Sequence, residues 1–217
     1  SLPFANDVSI SRQCDGAAGD DSQDGVFPFD TSDIQQTLLN GQTDVTTYYY
    51  DNDDNFIGNV LPNPFESVSQ TLRIRVENNT DQKCFDETTL EFIVDDSPEV
   101  YDVVIPVQCD DGNDFRDGYS EFDTSTITQT LLTNPQNNQT QSLDDFSVSY
   151  QYVDDNGVTQ NSAELPNPFN SNTQTVIATV TNNINNSCVI TKDIDFVVES
   201  LPFANDVSIS RQCDGAA

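Results

Sequence analysis

Residues 1–18 and residues 200–217 read the same eighteen letters, SLPFANDVSISRQCDGAA. A perfect recurrence at a spacing of 199 residues is the mark of a tandem array, and the chain reads as one period plus the opening of the next. A weaker echo runs inside the period. The first half carries Cys14, FDTSDIQQTLL, YYYDNDDN, LPNPF, RIRVENN, Cys84 and EFIVDD. The second carries Cys109, FDTSTITQTLL, YQYVDDNG, LPNPF, IATVTNN, Cys188 and DFVVES in the same order. The FDTS motif recurs after 93 residues and LPNPF after 104, so the second half holds an 11-residue insertion, in TNPQNNQTQSLDD. The expected organisation is two homologous domains, 1–96 and 97–199, followed by the start of a third copy at 200–217.

Each half has the grammar of a small β domain. Leu72, Ile74 and Val76 alternate with Arg73 and Arg75, and Leu90, Phe92 and Val94 alternate with polar neighbours, which is the period-2 pattern of half-buried strands. DVSISRQ at 7–13 reads as a first strand. VTTYYYD reads as a middle strand in which Tyr48, Tyr49 and Tyr50 alternate between core and surface. DNDDN reads as a tight hairpin turn. The two prolines of LPNPF mark an irregular edge segment that pins Leu61 and Phe65 to the core. TSDIQQTLL allows one or two helical turns with Ile34, Leu38 and Leu39 on the apolar stripe and Asp30 or Thr31 as the cap. The fold class that follows is all-β: tandem immunoglobulin-like β-sandwiches, each with one short crossover helix. No βαβ alternation of a nucleotide-binding sheet is present.

Charge narrows the partners. There are 37 Asp plus Glu against 7 Lys plus Arg and no His, for a formal charge of −30. Such a surface repels nucleic acid and anionic membranes, so neither a nucleic-acid partner nor direct membrane insertion is expected. Of the acids 29 are Asp and 8 are Glu, and Asp suits turns and hard-cation sites rather than helix surfaces.

The five cysteines fall into the repeat pattern, with Cys213 as the second copy of Cys14. An even pair per domain, without CxxC or His, reads as disulfides of an oxidising compartment rather than zinc ligation. Pairing within each domain, Cys14 with Cys84 and Cys109 with Cys188, makes each repeat self-contained. It would close loops of about 70 residues, worth roughly 4 kcal/mol in the chain-entropy model. Pairing of Cys84 with Cys109 across the junction also satisfies the sequence.

The loop after each first cysteine is the best candidate site. It holds Asp15, Asp20, Asp21 and Asp24 in the first half and Asp110, Asp111, Asp114 and Asp117 in the second. Carboxylates at this density are either solvated or bridged by a cation, and calcium, with six to eight oxygen ligands, is the suited one. The spacing is not that of an EF-hand. The hairpin acids Asp51, Asp53, Asp54, Asp154 and Asp155, and the junction acids Asp95, Asp96 and Glu199, are further candidates for calcium. No residue set suggests catalysis: no His exists to activate a nucleophile, and no Trp platform accompanies the acids for glycoside hydrolysis.

The ordered motifs, C-D, acidic loop, D-G, F-D-T-S, Y-x-D-D-N, L-P-N-P, x-V-x-N-N, Cys and F-x-V, resemble the repeats of very large flavobacterial cell-surface proteins exported by the type IX secretion system, of the SprB gliding-adhesin type. The resemblance spans both halves. It implies an extracellular, cell-surface location, calcium-rich immunoglobulin-like domains, and adhesion or filament formation, with no catalytic residues. The expected role is a disulfide-stapled stalk whose partners are neighbouring repeats of the same chain and other copies in a filament. Short one-proline junctions at 95–102 and 199–206 suit a jointed rod, with a two-domain period somewhat under 100 Å long given about 3.3 Å per strand residue. A repeat that itself binds a glycan or protein through its loops is the competing expectation.

Overall fold

The computed structural model describes residues 2–16, 23–80, 82–110, 116–203 and 207. In the first repeat the strands are β1 Gln13–Cys14, β2 Phe27–Phe29, β3 Val45–Tyr50, β4 Phe56–Gly58, β5 Phe65–Ser67, β6 Gln70–Asn78, β7 Phe85–Phe92 and β8 Val94–Asp95, with helix α1 at Ile34–Leu39. They form a four-stranded antiparallel sheet β4-β3-β6-β7 and a two-stranded β2-β5 pair, while β1 runs parallel to β8. This is the tandem immunoglobulin-like all-β architecture expected. The order recurs in the second repeat, with β9 Gln108–Cys109, β10 Ser120–Phe122, α2 Ile127–Leu132, β11 Phe146–Val153, β12 Thr159–Ser162, β13 Phe169–Ser171, β14 Gln174–Asn182, β15 Val189–Phe196 and β16 Val198–Glu199.

The alternation in β6 puts Leu72, Ile74 and Val76 at zero exposure, each burial contributing about 1.5–3 kcal/mol. Leu90 and Phe92 of β7 and Tyr49 of β3 meet them in the same core. Phe92 is the hub: its ring centroid lies 4.8 Å from Phe29 and 5.2 Å from Phe65. Phe196 plays the same part in the second repeat, 5.0 Å from Phe122 and 5.2 Å from Phe169. The aromatic residues of FDTS and LPNPF thus close over the last long strand in both copies.

The polar letters of these two motifs also meet. Thr31 donates its backbone N–H to the Asn63 side chain at 3.0 Å and its hydroxyl to the Pro62 carbonyl at 2.6 Å. Thr124 repeats both bonds with Asn167 and Pro166, at 3.2 and 2.7 Å. The Asn63–Pro64 and Asn167–Pro168 peptides are cis. Neither Asp30 nor Thr31 therefore caps α1, as the sequence suggested. The N-cap is Asp33, without a side-chain bond, because Thr31 is committed to the proline segment and Asp30 accepts from the Ser32 N–H.

Two further expectations shift. Of the 7–13 segment only Gln13, together with Cys14, joins a ladder; Val8 and Ile10 pack against the core without strand pairing. The hairpin acids organise their own turns: Asp51 accepts from the N–H groups of Asp53 and Asn55, and Asp154 from those of Asn156 and Val158. These local bonds hold both carboxyls below the usual range, the largest effect being the Asn55 side chain for Asp51 and the Val158 N–H for Asp154.

Compact units and sequence repeats do not coincide. One unit comprises residues 1–100 with 132–148 and 179–191; the other comprises 101–131, 149–178 and 192–217. The insertion and the β14–β15 turn of the second repeat therefore pack with the first repeat.

Candidate functional site

The junction of the repeats lies inside the first of these units and is held by a disulfide and by polar side chains of both repeats. Its centre is a disulfide joining Cys14 to Cys188, with 5.4 Å between Cα atoms. This overturns both expected pairings, within each repeat and from Cys84 to Cys109. The physical reason is polarity of the sandwich. Cys14 pairs in register with Asp95 at the end of β8, whereas Cys84 immediately precedes Phe85 at the start of β7, the strand that leads into β8. Eleven extended residues separate those ends, roughly 36 Å at 3.3 Å per residue, and a disulfide tolerates about 7 Å between Cα atoms. Cys84 and Cys109 carry free thiols, half-buried and exposed respectively.

Around the staple the side chains are specific. Asn185, in the turn before Cys188, donates its amide to Asp95 Oδ2 at 2.8 Å. Arg12 donates Nε to the same oxygen at 2.5 Å and a terminal nitrogen to Asp95 Oδ1. Asp95 is buried, and its carboxyl is held below the ordinary carboxylate range chiefly by the Arg12 bonds and then by Asn185. The junction backbone is held as well. Asn182 donates to the Asp96 carbonyl at 2.8 Å, and Ser97 donates to the Asp15 carbonyl. The Gln141 side chain, from the insertion, accepts from the Glu99 N–H at 2.9 Å and donates to its carbonyl at 2.5 Å. Gln42 grips Phe4 in the same two-bond fashion. The segment expected to be a linker is thus fastened residue by residue. Both Asp95 oxygens accept from Arg12, and Oδ2 accepts from Asn185 as well.

The acidic loops follow Cys14 in one unit and Cys109 in the other. Asp15 Oδ2 accepts from Gly25 N–H at 2.9 Å, and Asp110 Oδ2 from Gly118 N–H at 3.1 Å. Both glycines sit at positive φ, +77° and +83°, which explains the D-G pairs of the motif. Asp24 and Asp117 are exposed and cap the same turns through Val26 and Tyr119. The remaining oxygen of each deep carboxylate, Asp15 Oδ1 and Asp110 Oδ1, is buried without a hydrogen-bond partner. Asp20, Asp21, Asp111 and Asp114 lie outside the described residues, as does Cys213. Among the described residues no three His, Cys, Asp or Glu side chains form a metal-holding group.

The fold and its joint define a class: tandem immunoglobulin-like sandwiches coupled by a disulfide that crosses from one repeat to the next. Residues 11–98 and 106–202 each match the Flavobacterium inter-domain disulphide bond domain, and the chain belongs to that family. No curated protein matches it. Similar solved structures include mouse cadherin-23 EC22–24, at 10% identity and TM-score 0.30, over 73% of this chain and 54% of that one. Another is the Bacteroides ovatus mixed-linkage glucan utilization locus protein SGBP-B in complex with a mixed-linkage heptasaccharide, at 9% identity and TM-score 0.24, over 92% of this chain and 69% of that one. The chain spans about half the length of the cadherin fragment.

Proposed function

We propose that this chain is a stalk segment of a bacterial cell-surface adhesin or filament, of the SprB gliding-adhesin type exported by type IX secretion, and that its work is mechanical. The observation that carries this reading is the Cys14–Cys188 staple across the joint. A covalent bond between consecutive repeats, flanked by the buried Asp95 and Asn185 and the partly exposed Arg12, resists separation of the repeats under load and has no evident catalytic use. No helix among the described residues is long and apolar enough to cross a membrane. Calcium stiffens the array at the loops that follow Cys14 and Cys109, held by Asp15 and Asp110 with Asp20, Asp21, Asp24, Asp111, Asp114 and Asp117. The fit rests on the two buried, unpartnered Oδ1 atoms, which a cation would satisfy.

Single-molecule extension tests the mechanical role. The disulfide encloses a segment of 174 residues, roughly 600 Å of contour at about 3.5 Å per residue. That length stays hidden when the oxidised protein is pulled and is released after a thiol reductant is added. Equal extension in both states would exclude a load-bearing staple.

A further inference from the structure

We propose that the outer face of the first repeat's four-stranded sheet is a binding surface for an uncharged polysaccharide. Alternation sends Tyr49, Leu72 and Ile74 into the core, so their neighbours Tyr48, Tyr50, Arg73 and Arg75 stand on the opposite face. Phe56 of β4 and Phe85 at the start of β7 join them, 55% and 51% exposed. The Phe56 ring centroid lies 6.1 Å from that of Tyr48 and 5.7 Å from that of Tyr50. Arg73 lies over Tyr50 at 4.3 Å from the ring centroid, and Arg75 over Phe85 at 3.6 Å. The result is a band of rings and flat guanidinium groups on the solvent side of the sheet.

The fold does not require this band. Asn79 and Asn183 donate their N–H groups to the carbonyls of Asp44 and Asp145, which sets the two repeats in a common register. In that register Ser149 and Gln151 stand for Tyr48 and Tyr50. Ile177, Thr179 and Val189 stand for Arg73, Arg75 and Phe85, and β12 reads TQNS with no ring. The second repeat keeps the same strand order without these side chains. Exposed Tyr, Phe and Arg at positions where the sheet does without them mark a surface made for a partner.

Charge selects the partner. Arg73 pairs with Asp54 and Glu87, while Arg75 and Lys83 pair with Glu77. Three cations thus meet three carboxylates, and the band is balanced on a chain whose formal charge is −30. The acidity of the whole molecule repels polyanions, and a basic partner gains more from the acidic turns than from a balanced face. What suits such a face is an uncharged ligand with apolar sides and polar edges.

A pyranose ring has that form. Its axial C–H groups carry slight positive charge and lie against the electron-rich face of an aromatic ring such as Phe56. Its hydroxyls reach the rim, where the Arg73 fork donates and the carboxylates of Asp54 and Glu87 accept. A linear chain of such sugars lies along the band and makes several weak contacts at once, which raises the affinity above that of any single sugar. This role goes beyond the mechanical one and does not depend on it.

Affinity electrophoresis of the 217-residue chain tests the proposal. The probes are neutral polysaccharides with glucose, mannose, galactose and xylose backbones, and alginate as a polyanion. Retarded migration in at least one neutral gel, and none in alginate, is the expected result. The triple variant Tyr48→Ser, Tyr50→Gln, Phe85→Val installs residues that the second repeat already carries, and formation of the Cys14–Cys188 bond checks its folding. Its affinity should fall by about tenfold or more, as it does where aromatic anchors carry the binding. Phe56→Ser, a single change on the edge strand, should weaken binding in the same gel. Migration unaffected by every neutral polysaccharide, or retardation that persists in both variants, overturns the proposal. Retardation in alginate as strong as in any neutral gel overturns it too. So does concentration-dependent sedimentation that the substitutions abolish, which would give the face to a second copy of this chain. None of these results bears on the stalk, which the extension experiment tests separately.

Discussion

Asn185 of the second repeat reaches Asp95 of the first, 2.8 Å from amide nitrogen to carboxylate oxygen, beside the sulfur of Cys14 at 3.8 Å. The contact joins residues 90 apart in sequence, in a buried position shared with Arg12. A carboxylate so placed needs both partners: loss of either leaves a buried charge incompletely compensated. The joint therefore combines a covalent bond with an electrostatic one that depends on protonation.

Asp95→Asn should lower stability at neutral pH by about 1–2 kcal/mol, once screening at the partly exposed Arg12 is allowed for. The Arg12 and Asn185 bonds depress the folded-state pKa of Asp95. Its contribution is then complete above the ordinary Asp value of about 3.9 and is lost as pH falls through the lower folded-state value. Melting curves of wild type and variant between pH 7 and pH 2 should converge toward the acid end. A gap that stays constant over that range would rule out the ion pair as its source.

Reduction of the staple should cost more. Closing a loop of this length removes entropy from the unfolded chain worth roughly 5 kcal/mol in the chain-entropy model, an upper figure because native strain and residual structure subtract from it. Cys188→Ser, which leaves Asn185 in place, should shift the guanidinium midpoint down by an amount equal to that seen on reducing the wild type. Reduction that lowers the variant as far as the wild type would assign the effect to another cysteine.

Much of this fold was written in short-range pattern. Leu72, Ile74 and Val76 declare their face by alternation, and the D-G pairs declare their turns because Gly25 and Gly118 need positive φ. The staple was hidden for a physical reason. Choosing among cysteines requires knowing which end of the sandwich each occupies, and that follows from the parallel β1–β8 pairing of Cys14 with Asp95, a tertiary fact. The signal was nonetheless present: a cysteine closing the first strand and another opening the last long strand cannot meet if those strands run parallel. The misassigned helix cap has a similar origin, since Thr31 prefers a carbonyl 31 residues away to its local turn. The insertion carried no motif, and its Gln141 became legible only where it grips Glu99.

The Thr–Asn–Pro clamp gives a prediction that can be made twice in one molecule. Asn63→Ala removes the acceptor of the Thr31 N–H, and Asn167→Ala removes that of Thr124. Each leaves a partly buried donor unsatisfied, at a cost of about 1–3 kcal/mol. Hydrogen exchange should show faster exchange at Thr31 in the first variant and at Thr124 in the second, each without change at the other. Protection that survives the substitution would mean that the Pro62 and Pro166 bonds alone hold the segment.

Calcium can be judged through Asp15 and Asp110, because their two oxygens have separable duties. Oδ2 fixes the glycine turn, whereas Oδ1 is buried with no partner. In a chelator, Asp15→Asn should be no less stable than wild type, since the amide keeps an oxygen for Gly25 and removes an unpaired buried charge. With calcium at a hundred times its dissociation constant, the wild type should gain about 2.7 kcal/mol per site and the variant should not. Asp110→Asn should behave likewise in the second repeat. The decisive readout is the order of the two melting points, which should reverse when calcium replaces the chelator. An order that never reverses would leave these carboxylates as turn-formers and remove calcium from the account of stiffness.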